Sequence, residues 1–99
     1  MSTSEDGVLD DEALAQALVD LPGWEQDDDA ITTSYSFDDF GAAIDFMSSA
    51  APRIDELDHH PEWTNVYATV DVRLSSHDVG GVTERDLRLA RVLDAIAGR

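Results

Sequence analysis

The apolar residues of this chain change repeatedly between a helical and a strand spacing, and this is the strongest constraint on its fold. In three segments they recur at three- and four-residue steps, which predicts amphipathic helices. Between these segments they alternate with polar residues, which predicts short half-buried strands in two pairs. The helical positions are Leu14, Ala17, Leu18 and Leu21; Phe40, Ile44, Met47, Ala51 and Ile54; and Leu87, Leu89, Ala90, Val92, Leu93 and Ile96.

Turn and capping residues set the expected helix boundaries. Asp10 or Asp11 is suited to cap the first helix, and the Pro22-Gly23 pair is expected to end it. The second helix is expected to begin at Asp38. Pro52 is expected to kink this helix without ending it, because the apolar stripe continues beyond the proline.

The strand segments are read as two hairpins. The first pairs residues 24–26 with 31–37 across the polar turn 27–29. The second pairs residues 63–67 with 70–74, and the apolar phase slips at 68–69, which predicts a bulge or a turn there. A capping box formed by Thr83 and Asp86 is expected to open the last helix.

The predicted order is therefore α-β-β-α-β-β-α. An α+β fold in two layers satisfies it, with a four-stranded antiparallel sheet and three helices on one face. Residues 8–99 would form this single domain, and residues 1–7 a short flexible acidic tail. The other face of the sheet, or its edges, would be free for a partner.

The charge composition limits the classes of partner. Six arginines and 22 acids give a formal net charge of −16, and lysine is absent. A phosphate-binding face needs clustered Lys and Arg, so ordinary nucleic-acid binding is not expected. The acids are scattered along the chain, which favours a solvated acidic shell, as in proteins of salt-accumulating halophiles, over a DNA mimic or a partner of a basic protein.

Other features of the composition narrow the environment. Cysteine is absent, which excludes disulfides, thiolate metal sites and a cysteine nucleophile. No apolar run approaches the length of a membrane span, and the first residues lack the pattern of a signal peptide. A cytoplasmic protein without a membrane partner is the expectation.

The histidines fall in two predicted loops that flank the second hairpin. They are His59, His60 and His77. If residues 63–67 pair with 70–74, the outer ends of the two strands meet, and all three imidazoles lie in one small region. Histidine exchanges protons near neutral pH, so such a cluster is suited to acid–base catalysis on a small molecule.

Two other chemistries are less consistent with these residues. A metal site is not expected, because adjacent His59 and His60 point in opposite directions on an extended backbone and their spacing matches no compact helical motif. Serine catalysis is weaker still, because contiguous Ser75, Ser76 and His77 lack a nucleophile elbow.

These residues resemble the pterin-4a-carbinolamine dehydratase family. The resemblance is carried by the segment ELDHHPEWTNVYATVDVRLSSHDVGGVTERD. The frame consists of Asp55, the run His59-His60-Pro61, Tyr67, His77 and Asp86, and all its spacings agree. The Gly23-Trp24 pair and the FxDF run at 37–40 extend the resemblance more loosely over the rest of the chain.

The resemblance implies an enzyme that dehydrates 4a-hydroxytetrahydropterin, of the 4a-hydroxytetrahydrobiopterin type, to quinonoid dihydropterin. It implies that His59, His60 and His77 form the acid–base set, with His60 and His77 the more important, and that no metal or cofactor is needed. It also implies that Asp58, Ser75, Ser76 and Asp78 line the pterin pocket together with the histidines. Family members form homodimers and homotetramers through sheet edges and the second helix.

Several alternatives remain open at this point. One is a non-catalytic module that binds a pterin or a protein, and another is a protein of a different step of pterin or molybdopterin metabolism. Asp86 has a sufficient structural role as a capping residue, and Asp55 or Glu56 is placed to orient a histidine from behind.

The charge predicts that stability depends on salt. In molar KCl the screening length falls to about 3 Å, so the repulsion among the acids largely disappears. We expect circular dichroism to show unfolding or dissociation as KCl is lowered from molar to millimolar. A melting temperature that does not change with salt would contradict the halophilic interpretation.

Overall fold

The computed structural model describes residues 7–99, and the elements follow the predicted order. The expected tail at 1–7 lies outside the described residues except for Gly7. The helices are α1 (Asp11–Leu18), α2 (Phe40–Leu57) and α3 (Glu84–Ala97). The strands are β1 (Glu25–Asp27), β2 (Ala30–Ser36), β3 (Glu62–Val66) and β4 (Thr69–Leu74).

The four strands form one antiparallel sheet in the order β1-β2-β4-β3. β2 and β4 form its centre, where Ile31 lies opposite Leu74 and Thr33 opposite Val72. The side chains of the central strands alternate between buried and solvated positions, as expected of a sheet that is covered on one face. The α+β fold predicted from the sequence is confirmed.

One hydrophobic core fills the space between the sheet and the helices. Each helix contributes buried side chains to it, for example Leu14 of α1, Phe46 of α2 and Leu93 of α3. The rings of Tyr35 and Phe46 lie 4.9 Å apart between centroids and join the sheet to α2. Among residues 7–99, the other face of the sheet carries exposed side chains such as Ser34, Thr64 and Asp71.

Two helix boundaries differ from the predicted ones. α1 begins after the Asp10 cap as expected, but it ends at Leu18, well before Pro22-Gly23. Leu21 is still buried, because its amide bonds to the carbonyl of Leu18 in a further turn. α2 begins at Phe40 and not at Asp38, because the Asp39 side chain accepts the amide of Ala42 and caps the helix.

The remaining local predictions are confirmed or refined. α2 continues through Pro52 to Leu57. The phase slip in the second hairpin is a turn at 67–68, where Tyr67 adopts a left-handed φ of 51°. The capping box at the start of α3 is present, with both reciprocal hydrogen bonds between Thr83 and Asp86.

The apolar stripe of α2 does not lie where the sequence pattern places the core. The buried positions of the helix are Ala43, Phe46, Ala50 and Ile54. Of the predicted stripe, only Ile54 is fully buried, while Phe40 is 51% exposed and Ile44 is 37% exposed. The helix therefore carries a second, solvent-facing apolar strip beside the one that packs on the sheet.

A half-buried carboxylate ties the end of α3 to the first hairpin. Asp94 Oδ1 accepts hydrogen bonds from Trp24 Nε1 at 3.1 Å and from the Tyr35 hydroxyl at 2.6 Å. The Arg99 guanidinium lies 3.1 Å from the same oxygen and 4.4 Å above the Tyr35 ring. Burial, together with the bond to Asp94, raises the pKa of Tyr35, so its hydroxyl remains a donor.

In residues 7–99, no helix is both long and apolar enough to cross a bilayer.

Asp94→Ala is expected to destabilise the protein. The change leaves the Trp24 and Tyr35 donors without their acceptor, which typically costs about 2 kcal/mol or more. Urea unfolding in molar KCl measures the loss. Asp45→Ala removes an exposed carboxylate from α2 and should change the free energy of unfolding by less than about 0.5 kcal/mol. Equal effects of the two variants would contradict the role of Asp94.

The raised pKa of Tyr35 predicts a loss of stability in alkali. In the unfolded chain this phenol ionises near its ordinary pKa of 10.0, whereas the folded protein holds the proton. The stabilisation is complete below the unfolded pKa, and it is lost as the pH rises through the folded one. Urea unfolding as a function of pH should show a decline above pH 10.0 that is shallower in Tyr35→Phe.

Candidate active site

Two loops meet at one end of the β3–β4 hairpin and are joined by side chains. The loop between α2 and β3 carries His59 and His60, and the loop between β4 and α3 carries His77. His59 Nε2 lies 2.5 Å from Asp86 Oδ1, and Asp86 Oδ2 accepts the hydroxyl of Ser76 at 2.8 Å. Ser76 immediately precedes His77, so this chain of contacts links the two loops.

A second contact joins the loop of His77 to the start of β3 on the solvent side. His77 Nε2 lies 3.0 Å from Glu62 Oε1, and Glu62 is two residues beyond His60 in the chain. The hairpin connectivity predicted that the two loops would be adjacent, and these contacts confirm it.

The three histidines occupy different environments. His59 is 9% exposed and lies against the start of α3. The side chains of His60 and His77 are 59% and 71% exposed, and each is paired with a carboxylate, Asp55 at 3.1 Å and Glu62 at 3.0 Å. A neighbouring carboxylate stabilises the positive charge that an imidazole carries after it accepts a proton.

The buried carboxylate of Asp86 is the least expected part of the site. Asp86 is fully buried, and its Oδ2 accepts the Thr83 amide at 2.9 Å as well as the Ser76 hydroxyl. The sequence predicts its capping role, and it also suggests Asp55 or Glu56 as the residue behind a histidine. Asp55 does contact His60, but nothing in the spacing indicated that the cap residue also holds His59.

The residues expected to line a pterin pocket have different surroundings. Ser76 is fully buried and bonded to Thr83 and Asp86, so its hydroxyl lies behind His59. The Ser75 hydroxyl donates to the carbonyl of Asp29 at 2.8 Å in the turn of the first hairpin. Asp58 is exposed and ends α2 with a left-handed φ of 51°.

Asp78 forms an ion pair on the other side of the corner, which is the region where the loops 58–61 and 75–83 meet. Its carboxylate accepts the Arg85 guanidinium at 2.9 Å and 3.2 Å, and this hydrogen bond lowers the pKa of Asp78. Asp78 is therefore an anion near neutral pH. The site combines solvent-facing imidazoles, a buried imidazole and fixed carboxylates, which is a set suited to moving protons.

An open groove of about 1040 Å³ lies along the sheet next to the loop before β3, and the three histidines are not among its lining residues. Its walls include Pro61 and Glu62, which follow the two adjacent histidines, and Arg73 at the centre of the sheet. Arg73 is held by Asp27 at 2.7 Å. Within residues 7–99, the side chains of His, Asp and Glu nowhere form a group of three or more with the arrangement of a metal site.

Comparison with known proteins identifies the family. The family model for pterin 4 alpha carbinolamine dehydratase matches residues 7–96. A "Putative pterin-4-alpha-carbinolamine dehydratase" of Nitrobacter winogradskyi is 54% identical over 89 residues, which cover 88% of each chain. A protein of the same name from Afipia carboxidovorans is 49% identical over 94 residues, 93% of this chain and 94% of that protein.

A crystal structure agrees with the sequence comparisons. The transcriptional coactivator/pterin dehydratase from Brucella melitensis superposes with a TM-score of 0.90 at 47% identity, covering 93% of this chain and all of that one. The residues matched by the family model, 7–96, include both histidine loops. The chain belongs to the pterin-4a-carbinolamine dehydratase family.

Proposed function

We propose that this protein dehydrates a 4a-hydroxytetrahydropterin to the quinonoid dihydropterin, with His59, His60 and His77 as the acid–base set. The observation that carries the proposal is a crossed pair of contacts: His59 in the first loop bonds Asp86 in α3, and His77 in the second loop bonds Glu62 at the start of β3. Since these contacts come from both sides of one corner, a small flat ring bound there would meet imidazoles from both loops.

The reaction needs two proton transfers and no change of oxidation state. A proton delivered to the 4a-hydroxyl lets the C4a–O bond break, and the oxygen leaves as water. Removal of the N5 proton supplies the electron pair that forms the new N5–C4a double bond. Positioned imidazoles on both sides of the ring supply these transfers without a metal or cofactor.

The exposure of the histidines supports different duties for them. His60 and His77 reach solvent and are free to contact a bound ring, and each has a carboxylate beside it. His59 is largely enclosed. The proposal gives the exposed Asp58 and Asp78 contacts with the polar groups of a pterin, and it gives the buried Ser76 a supporting role behind the site.

A second candidate function is a non-catalytic module that binds a pterin or a protein. The solvent-facing strip of α2, which includes Phe40 and Ile44, favours contact with another protein surface. A second copy of the chain is the partner we propose, giving a homodimer or homotetramer, and the net charge of −16 argues against nucleic acid. A binding module would take up a pterin without accelerating its dehydration.

Stopped-flow absorbance with freshly generated 4a-hydroxytetrahydropterin in molar KCl tests the proposal. The protein should accelerate the dehydration, and His60→Ala and His77→Ala should each lower the rate by roughly 10²-fold or more, as expected for positioned acid–base groups. Gln16→Ala, an exposed change on α1, is the matched control and should keep the full rate. Unchanged rates in both histidine variants would refute the catalytic assignment.

A further inference from the structure

The Asp86 carboxylate makes more contacts than a helix cap requires. Capping uses Oδ2, which accepts the Thr83 amide at 2.9 Å, and the same oxygen also accepts the Ser76 hydroxyl at 2.8 Å. The other oxygen, Oδ1, faces His59 Nε2 at 2.5 Å. An isolated buried carboxylate is strongly unfavourable, so this set of contacts must compensate its removal from water.

The contacts also favour one position for the proton between Asp86 and His59. The Thr83 amide can only donate, so Oδ2 acts as an acceptor towards it, and the first turn of α3 adds a positive dipole end that stabilises an anion. These donors and the helix dipole favour the anionic form of Asp86, which would accept a proton carried by His59 Nε2 in the short contact. In residues 7–99, the second ring nitrogen of His59, Nδ1, has no hydrogen-bond partner.

We propose that Asp86 is a positioning residue that fixes His59 with its proton on Nε2 and so makes Nδ1 the nitrogen that exchanges protons with the substrate. This inference rests on the proposed function, and it assigns to His59 a definite atom and orientation. Asp86 does not touch the substrate. It acts through the histidine, as a carboxylate that orients an imidazole and stabilises its charged form.

The proton balance follows from this arrangement. When Nδ1 takes the N5 proton of the pterin, His59 becomes an imidazolium, and Nε2 continues to donate to Asp86, which remains an anion. The electrons of the N5–H bond form the N5–C4a double bond as C4a–O breaks. A second acid of the site protonates the departing oxygen, which leaves as water, and Nδ1 later returns its proton to solvent.

Asp86→Asn is expected to reverse the tautomer of His59. The Thr83 amide needs an acceptor, so the amide oxygen of the new side chain replaces Oδ2 and its NH₂ group faces His59. Nε2 must then accept, and the proton moves to Nδ1. We expect the rate of dehydration in molar KCl to fall by about 10²-fold or more in a protein that remains folded by circular dichroism.

Nitrogen-15 NMR of the histidine rings measures the tautomer independently of activity. In the wild-type protein, Nδ1 of His59 should lose its proton as the pH rises while Nε2 keeps its own; in Asp86→Asn, Nε2 should be the nitrogen without a proton. The wild-type titration needs no variant, so it remains decisive if Asp86→Asn does not fold. Loss of the Nε2 proton in the wild type would overturn the proposal.

Asp94→Asn is the matched control, since it makes the same change in another carboxylate of α3 that accepts hydrogen bonds. It should leave the His59 titration unaltered and the rate within about twofold of the wild type. A reversed tautomer with a full rate in Asp86→Asn would also overturn the positioning role. Absence of dehydration by the wild type would refute the proposed function instead. The NMR titration would still test the tautomer of His59 in that case, because it does not depend on activity.

Discussion

The hydrogen bonds of the Asp86 carboxylate join the parts of the chain that form the candidate site. A buried charge is tolerated only where donors surround it, and here the donors come from three separate parts of the chain. The Thr83 amide belongs to the start of α3, the Ser76 hydroxyl to the loop after β4, and the imidazole of His59 to the loop before β3. One group therefore starts a helix, closes a loop and positions a histidine.

The sheet gives this arrangement its frame. Because β3 and β4 pair directly as a hairpin, the segments at their outer ends lie side by side, and both carry histidines. The register of β4 with β2 directs Val70, Val72 and Leu74 into the core and leaves the alternate positions on the open face. The loop that carries His77 therefore follows directly after β4, a strand whose buried side chains belong to the hydrophobic core.

In this strongly acidic chain, exposed carboxylates and buried carboxylates respond differently to salt. Most acids lie on the surface, where salt screens their repulsion. Asp86 and Asp94 are instead largely withdrawn from water, and hydrogen-bond donors compensate the loss of hydration of each carboxylate. Asp86 lies at the candidate site, and Asp94 lies beside Arg99. Screening by salt acts on the surface acids, whereas these two depend on the geometry of the folded chain.

The chain's local chemistry predicted the elements well where a single physical signal dominated. The alternation around Tyr35 marked β2, and Thr83 with Asp86 marked the start of α3, because period and capping are short-range properties. It failed for α2, where two apolar strips share one helix. Choosing between Ile44 and Phe46 as the core residue requires knowing which side the sheet covers.

The sequence by itself determined the order of helices and strands, the proximity of the two histidine loops and the acidic surface, because each follows from spacing along the chain or from composition. Only the tertiary structure decided that His59 is enclosed while His60 and His77 remain in solvent, and that Asp86 is the partner of His59. These two residues are 27 positions apart, and a hydrogen bond over that distance depends on how the hairpin and α3 pack together.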